Sequence, residues 1–325
     1  MSGRSVPAFA VPTQLLLFAV AMGVSLVLAL AFYPALRAPP ARRLPFIVAV
    51  ALVALAIPMV VPPDARFLRL LAAIWSVVVV MKVYDLHLGA LVGDRPTPRR
   101  FLEFLPNIYV LVHRKADESP RPTIREDVYS GLRNAGFVAA ALVPLAIVFR
   151  ADWSGRPFAL EHAAKVVTFF LALIPLTALG ESLWRLGGGR ARAFMDNPFA
   201  ARTPADFWRR YNRPVHQFLQ EDVFKPLAGA RHPVRATIVA FVVSALIHEF
   251  VFTVAIGRIQ GYQAAFFLLQ GCAVAATARI KPRGWGAAVW IAGTFAFNLA
   301  TGVLFFGSVN EILPFYDSPP PLWDP

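Results

Sequence analysis

Residues 234–257 read VRATIVAFVVSALIHEFVFTVAIG, an apolar span interrupted by Ser244, His248 and Glu249. A helix needs about 20 such residues to cross the hydrocarbon core of a bilayer. Barrel strands would alternate over about ten residues, and this run does not. Open sheets leave backbone groups unpaired in lipid. The stretch is therefore a spanning helix.

Seven further segments follow the same pattern: 11–33, 44–61, 67–81, 136–149, 163–184, 262–280 and 285–307. Those at 67–81 and 136–149 look short, so they start earlier or sit at a slant. The whole chain agrees: 57% of its 325 residues are hydrophobic and 16% charged, against roughly 25% charged in soluble domains, with mean hydropathy +0.57. A soluble enzyme, a disordered chain and a coiled coil are excluded. The expected fold is all-α, a polytopic transmembrane helical bundle of about 8 spanning helices with cytoplasmic amphipathic or interfacial helices, forming a single integral-membrane domain over 1–325.

A net charge of +13 would suggest nucleic acid in a soluble protein. Here the Lys and Arg lie between the spans, and no nucleic acid is expected. The odd-numbered loops carry 25 of the 32, and the other side carries 7: Arg4, Arg66, Arg69, Arg150, Arg156, Lys165 and Arg258. The positive-inside rule then places the odd loops in the cytoplasm and both termini outside. Only Arg4 precedes the first span, whose apolar run exceeds the 7–15 residues of a signal-peptide core, so it is expected to be a retained helix. The richness in Ala, Arg and Pro fits a GC-rich bacterial genome, hence the cytoplasmic membrane. The single cysteine, Cys272, permits no intrachain disulfide and is expected to pack within its apolar run.

Two large loops are more than linkers. The loop from Lys82 to Asn134 includes 101–106 and 109–112, too apolar for solvent and too short to span, which fits interfacial segments. Arg95–Pro98 and Gly187–Gly189 mark turning points in the two loops. In the second loop, Pro204 through Lys225 reads PADFWRRYNRPVHQFLQEDVFK. Thr203 is a plausible N-cap with Pro204 at the first helical position. Phe207, Trp208, Tyr211, Val215, Phe218, Leu219 and Val223 recur at spacings of three and four. Arg209, Arg210, Arg213, Gln217 and Gln220 fill the other face. That is an amphipathic helix, with Pro214 as its kink or break. One reading is a basic anchor on anionic lipid. In the other, Asn212 and His216, four apart beside Trp208 and Tyr211, face a polar cavity.

His248 is about fifteen residues into its span. Ionisable groups at that depth are functional candidates, although a neutral histidine bonded to a neighbouring helix is the competing reading. Ser244 lies one turn before it on the same face and could bond a backbone carbonyl or orient the ring, while Glu249 points about 100° away. A neutral imidazole is a competent general base, and a buried one suits chemistry from which water must be kept. None of the six histidines has metal-ligand spacing, so no metal is expected. A transporter would show several intramembrane carboxylates, whereas Glu181 and Glu249 are the clear ones.

With these residues in view, the sequence resembles the membrane-bound O-acyltransferase family, most closely its wax synthase and diacylglycerol acyltransferase branch. The resemblance rests on Phe207 through His216 with Val223-Phe224-Lys225-Pro226, and on Ser244 through Phe250. The family has a motif of the form FWxxWNxPVH followed by one of the form SAxxHE. Here Asn212 and His248 are 36 residues apart. Close resemblance covers about 196–252.

The resemblance implies a catalytic His248 with Asn212 as its polar partner, and transfer of a fatty acyl group from acyl-CoA to a lipid hydroxyl, a fatty alcohol or a diacylglycerol. Acyl-CoA is a co-substrate, and no cofactor is implied. Tyr211 stands where the family often has Trp, which points to a different acyl-chain or headgroup preference. Phe207, Trp208, Tyr211, His216, Ser244 and Glu249 are candidate substrate-binding residues, together with Arg209, Arg210 and Arg213, whose charge suits the phosphates of acyl-CoA. The arginines could equally serve orientation and lipid contact. Acylation of a glycan or other secreted acceptor, a non-catalytic lipid-binding role and a homodimer stay open.

Overall fold

A computed structural model describes residues 10–118 and 122–323. Arg4, used in the charge count, and Arg121 lie outside the described residues. Every regular element among those described is helical: α1 (Val11–Ala35), α2 (Pro40–Ala56), α3 (Arg66–Leu91), α4 (Pro98–Phe104), α5 (Ile124–Arg150), α6 (Phe158–Leu186), α7 (Pro204–Arg210), α8 (Arg213–Phe218), α9 (Pro233–Ile256), α10 (Tyr262–Thr277) and α11 (Trp285–Asn310).

Among the described residues, seven stretches are long and apolar enough to cross a membrane: α1, α2 with its 3₁₀ extension to Val60, α3, α5, α6, α9 and α11. The protein is a multi-pass membrane protein. The remaining segment expected to span is α10, at 16 residues. At 1.5 Å per residue it rises about 24 Å, short of the roughly 30 Å hydrocarbon core. An even number of crossings is what places both termini outside, so that expectation rests on α10 crossing.

The two spans that look short in the sequence are long in the structure. α3 continues past Met81 through Lys82, Asp85 and His87, and α5 begins at Ile124. The loop read as Lys82–Asn134 is correspondingly shorter. Hydropathy treats Lys82 and Asp85 as solvent-facing, but both are fully buried. The Asp85 charge acts on Lys82, and the Lys82 ammonium donates to the Phe104 carbonyl and lies over the Phe104 ring. Glu161 on α6 is another buried carboxylate the sequence did not single out, met by Lys165 at 2.7 Å. In the apolar segments at 101–106 and 109–112, Phe101, Phe104, Leu105 and Tyr109–Val112 pack against the rest of the protein, while Leu102 is exposed. Cys272 departs from its expected packing and is exposed on α10.

The described residues gather into two compact units, and the boundary falls within α9. The first holds the chain up to Leu105 together with Ile247–Gln260. There α1 presents Ala21, Ser25, Ala29 and Phe32 as one buried stripe. Small residues at that spacing let helices approach closely in lipid. Ala21 packs with Val61, Ala65 and Ala72, and Ser25 meets Ser76 at 3.5 Å.

The second unit holds Pro106–Leu246 and the chain from Gly261 onward. α5 opens with a capping box, Thr123 and Glu126, and pairs with α6 through Arg185 Nε on Asp127 at 2.7 Å and Ser182 on Ser130 at 3.2 Å. The segment after α11 is tied to α6. His162 Nε2 bonds the Leu299 carbonyl at 2.8 Å, which fixes the hydrogen on that nitrogen, so Nδ1 accepts from the Tyr316 hydroxyl at 2.6 Å. Phe306, Phe315 and Tyr316 close a buried aromatic cluster against Val166.

Candidate active site

The stretch expected to form one kinked helix is two short helices meeting at a corner. α7 starts as expected: the Thr203 hydroxyl accepts from the Asp206 N–H at 3.1 Å, with Pro204 in the first turn. The break falls before Pro214, however. Tyr211 is extended, and Asn212 is left-handed with φ 44° and ψ 59°. Asparagine tolerates that region because its short side chain bonds locally. Asn212 Oδ1 caps α8 by accepting from Val215 N–H at 3.4 Å. Pro214 sits in the first turn of α8, where its missing N–H costs nothing. Beyond Phe218 the chain widens into a π-turn over Leu219–Phe224.

The corner is pinned from outside by two backbone bonds, Asp196 N–H to the Arg210 carbonyl and Arg213 N–H to the Phe194 carbonyl, both 2.9 Å. Glu181 of α6 accepts the Phe194 N–H at 2.5 Å. The intramembrane Glu181 thus holds the strip on which the corner rests.

Phe207 stacks on Tyr211 at 5.4 Å between centroids, and Trp208 stands edge-on to both. Trp208 also packs on Phe241 and Phe267. Its indole N–H donates to Gln270 Oε1 at 2.9 Å, and Gln270 Nε2 donates to Thr301 Oγ1 at 2.9 Å and Asn298 Oδ1 at 3.2 Å. Gln270, Thr301 and Asn298 are missed by the sequence reading. Their signal is a polar residue in an apolar run, with Gln263 seven residues before Gln270 on the same helix face.

Arg209 and Arg210 both donate to Asp206, at 2.5 and 3.0 Å. Burial raises the Asp206 carboxyl. Bonds from the Arg202 N–H and the two guanidiniums outweigh it and hold the group below the usual carboxylate range. The Arg209 side chain is 69% exposed. Burial pushes the Tyr211 phenol up to about 12, so it is a neutral donor. His216 is depressed by burial and then by the charges of Arg209, Arg213 and Arg192, which keeps its ring neutral at physiological pH.

Among the described residues no hydrogen-bond partner meets Asn212 Nδ2, the Tyr211 hydroxyl or the His216 ring. The cap on Asn212 Oδ1 means that the carboxamide's unused side is its NH₂, a donor.

Ser244, buried, and His248, half-buried, stand four residues apart on α9 and share a helix face. His248 and Glu249 belong to the first unit, and Ser244 and the α7–α8 corner to the second. Glu249 Oε1 accepts the Gln260 N–H at 3.0 Å, which holds the turn after α9 where Gly257 takes φ 89°. A positive φ of that size favours glycine.

The sequence model of the membrane-bound O-acyltransferase family matches residues 160–306, which include Asn212 and His248. A stretch of 67 residues is 39% identical to a protein described as "Probable sterol O-acyltransferase 1" from Schizosaccharomyces pombe. That match spans 20% of this chain and 12% of the yeast protein.

Proposed function

We propose that this chain, whose residues 160–306 match the membrane-bound O-acyltransferase family, is a member of that family and transfers a fatty acyl group from acyl-CoA to a lipid hydroxyl. On this reading the acceptor is a fatty alcohol or a diacylglycerol, as in the wax synthase branch, and the product is a wax ester or neutral lipid. The resemblance to a protein described as a sterol acyltransferase makes a sterol the next acceptor to test. The protein would work in a bacterial cytoplasmic membrane.

In the proposed reaction His248 takes the proton of the acceptor hydroxyl as its oxygen attacks the thioester carbonyl carbon. Negative charge gathers on the carbonyl oxygen, where the Asn212 NH₂ would donate. The C–S bond then breaks, and the imidazolium returns its proton to the CoA thiolate. No covalent enzyme intermediate is needed. Glu249 holds the turn after α9 rather than moving protons. Phe207, Trp208 and Tyr211 would line the acyl path. Arg209 and Arg213 would attract the phosphates of acyl-CoA.

The observation that carries the reading is Asn212, held in a left-handed turn by its own cap with its donor side left over, in a stretch that matches an acyltransferase family. The test is acyl transfer in isolated membranes with labelled long-chain acyl-CoA and a fatty alcohol, a diacylglycerol, a sterol or no acceptor. A product from the wild type with one acceptor, reduced by about 10²–10⁴ in His248→Ala, is the expected result. Full activity in a properly inserted His248→Ala overturns the general-base assignment.

A further inference from the structure

Three donors gather at one end of the first unit, outside the stretch that matches the family. Arg43 stands in the first turn of α2, His87 near the end of α3, and Arg95 in the loop that follows. Arg43 Nη1 lies 3.5 Å from the His87 carbonyl. The Arg43 side chain is nevertheless covered, with 1% of the residue exposed, and its Nε has no hydrogen-bond partner among the described residues. Nδ1 of His87 is likewise covered and unpartnered. The charge that bears on Arg43 is another guanidinium, Arg95, and the charge that bears on His87 is Arg43.

A guanidinium does not shed its proton when covered. Covering it is costly unless a counter-charge and acceptors meet it. The same unit shows the satisfied alternative: the buried Lys82 has the Asp85 charge, the Phe104 carbonyl and the Phe104 ring. The depth is also informative. Leu44, Val48 and Leu52, which follow Arg43 along α2, are exposed apolar side chains. Arg43 therefore stands at the α2 N-terminal end of that exposed apolar surface, within the first turn of a candidate span, a position suited to the level of the lipid phosphates.

We propose that Arg43, Arg95 and His87 form a binding site for a phosphate group. A phosphate offers several acceptor oxygens to a guanidinium fork, a second guanidinium and an imidazole at once. Two carriers bring that chemistry to this depth: the headgroup of an anionic phospholipid, and the CoA portion of an acyl thioester. The site does not depend on the acyl-transfer reading.

The test uses the full-length protein in a neutral detergent and follows its thermal unfolding with added dioleoylphosphatidylglycerol, dioleoylglycerol or CoA. At least one phosphate-bearing probe should raise the melting temperature of the wild type more than that of the variants below, whereas any shift from dioleoylglycerol, which has the same chains and no phosphate and is a candidate acceptor at the acyl-transfer site, should be the same in wild type and variants. Arg43→Met should weaken the response about tenfold in apparent affinity, and Arg95→Ala several-fold. Without ligand, Arg43→Met should melt no lower than wild type, because an unmet covered charge has been removed. A response to the phospholipid alone assigns the phosphate to the bilayer, and a response to CoA alone assigns it to the thioester. The proposal is overturned if neither phosphate probe shifts the wild type, or if Arg95→Ala responds as the wild type does. Arg95 is exposed, so that variant decides the matter even if Arg43→Met does not fold.

Discussion

The α7–α8 corner and the Arg43 end of α2 both gather cationic side chains, but they treat them differently. At the corner, Asp206 takes hydrogen bonds from Arg209 and Arg210, and the Trp208 indole is met by Gln270. The polar groups left over beside the aromatic stack are mostly neutral, the Asn212 amide, the Tyr211 phenol and the His216 ring, with the Arg213 charge next to that ring. At the α2 end the charges themselves are left over. A scaffold that uses its own partners for positioning leaves its remaining polar atoms for a ligand. The kind left over then indicates the ligand: neutral donors suit a group whose charge develops during reaction, and unmet cations suit one that arrives charged.

The largest effect that would break this comparison is at Asn212. Asn212→Asp keeps the short side chain, the α8 cap and the tolerance of a positive φ, but it removes the NH₂ donor and puts negative charge in its place. Acyl transfer should fall by about 10²–10³, with the melting temperature close to wild type. Initial rates and thermal unfolding on the same preparation check both halves. A variant that stays active would mean that the amide only shapes the corner.

Next comes the buried network behind Trp208. Gln270→Leu leaves the indole N–H without an acceptor and removes a partner from Thr301, at a cost of about 1–3 kcal/mol. Adding Trp208→Phe should recover part of that loss, since the stranded donor is gone. Thermal unfolding of the four members of the cycle isolates the coupling. Additive losses would separate Trp208 from Gln270 energetically.

How much of this was legible in the sequence depends on whether the partner is local. Thr203 and Pro204 start α7 as the sequence implies, because a cap and its N–H lie three residues apart. His248 stands out because an ionisable group in an apolar span has few structural reasons to be there. The sequence pattern points to Pro214 as the break, but a proline in the first turn marks a helix beginning, and the turn itself is made by Asn212. The ends of α3 and α5 were misplaced because hydropathy counts Lys82, Asp85 and Asp127 as solvated, while the structure buries each. Gln270 was visible as a polar residue in an apolar run, but its partner Trp208 is 62 residues away, which no local pattern reveals.

Thr203→Ala is a smaller test of the corner. It removes the cap of α7 and should cost about 1 kcal/mol. The aromatic stack of Phe207 on Tyr211 begins one turn later, so activity should fall less than it does at Asn212. A loss of activity as large as that of Asn212→Asp would show that the start of α7, not its end, sets the geometry.

The finest test is the pH dependence contributed by His216. Burial and three arginine charges depress its pKa below the ordinary value of about 6.5. Above about 6.5 the ring is neutral in both the folded and the unfolded chain, and it contributes no slope. As the pH falls through about 6.5, the unfolded chain takes up a proton that the folded one refuses. Stability therefore declines until the folded value is reached. His216→Gln removes that decline while keeping a polar side chain. The melting temperatures of variant and wild type should run parallel above about pH 6.5 and converge or cross below it, with the wild type falling faster. Parallel curves throughout would mean that the ring is solvated in the folded protein, and it would then no longer count among the polar groups the corner leaves for a ligand.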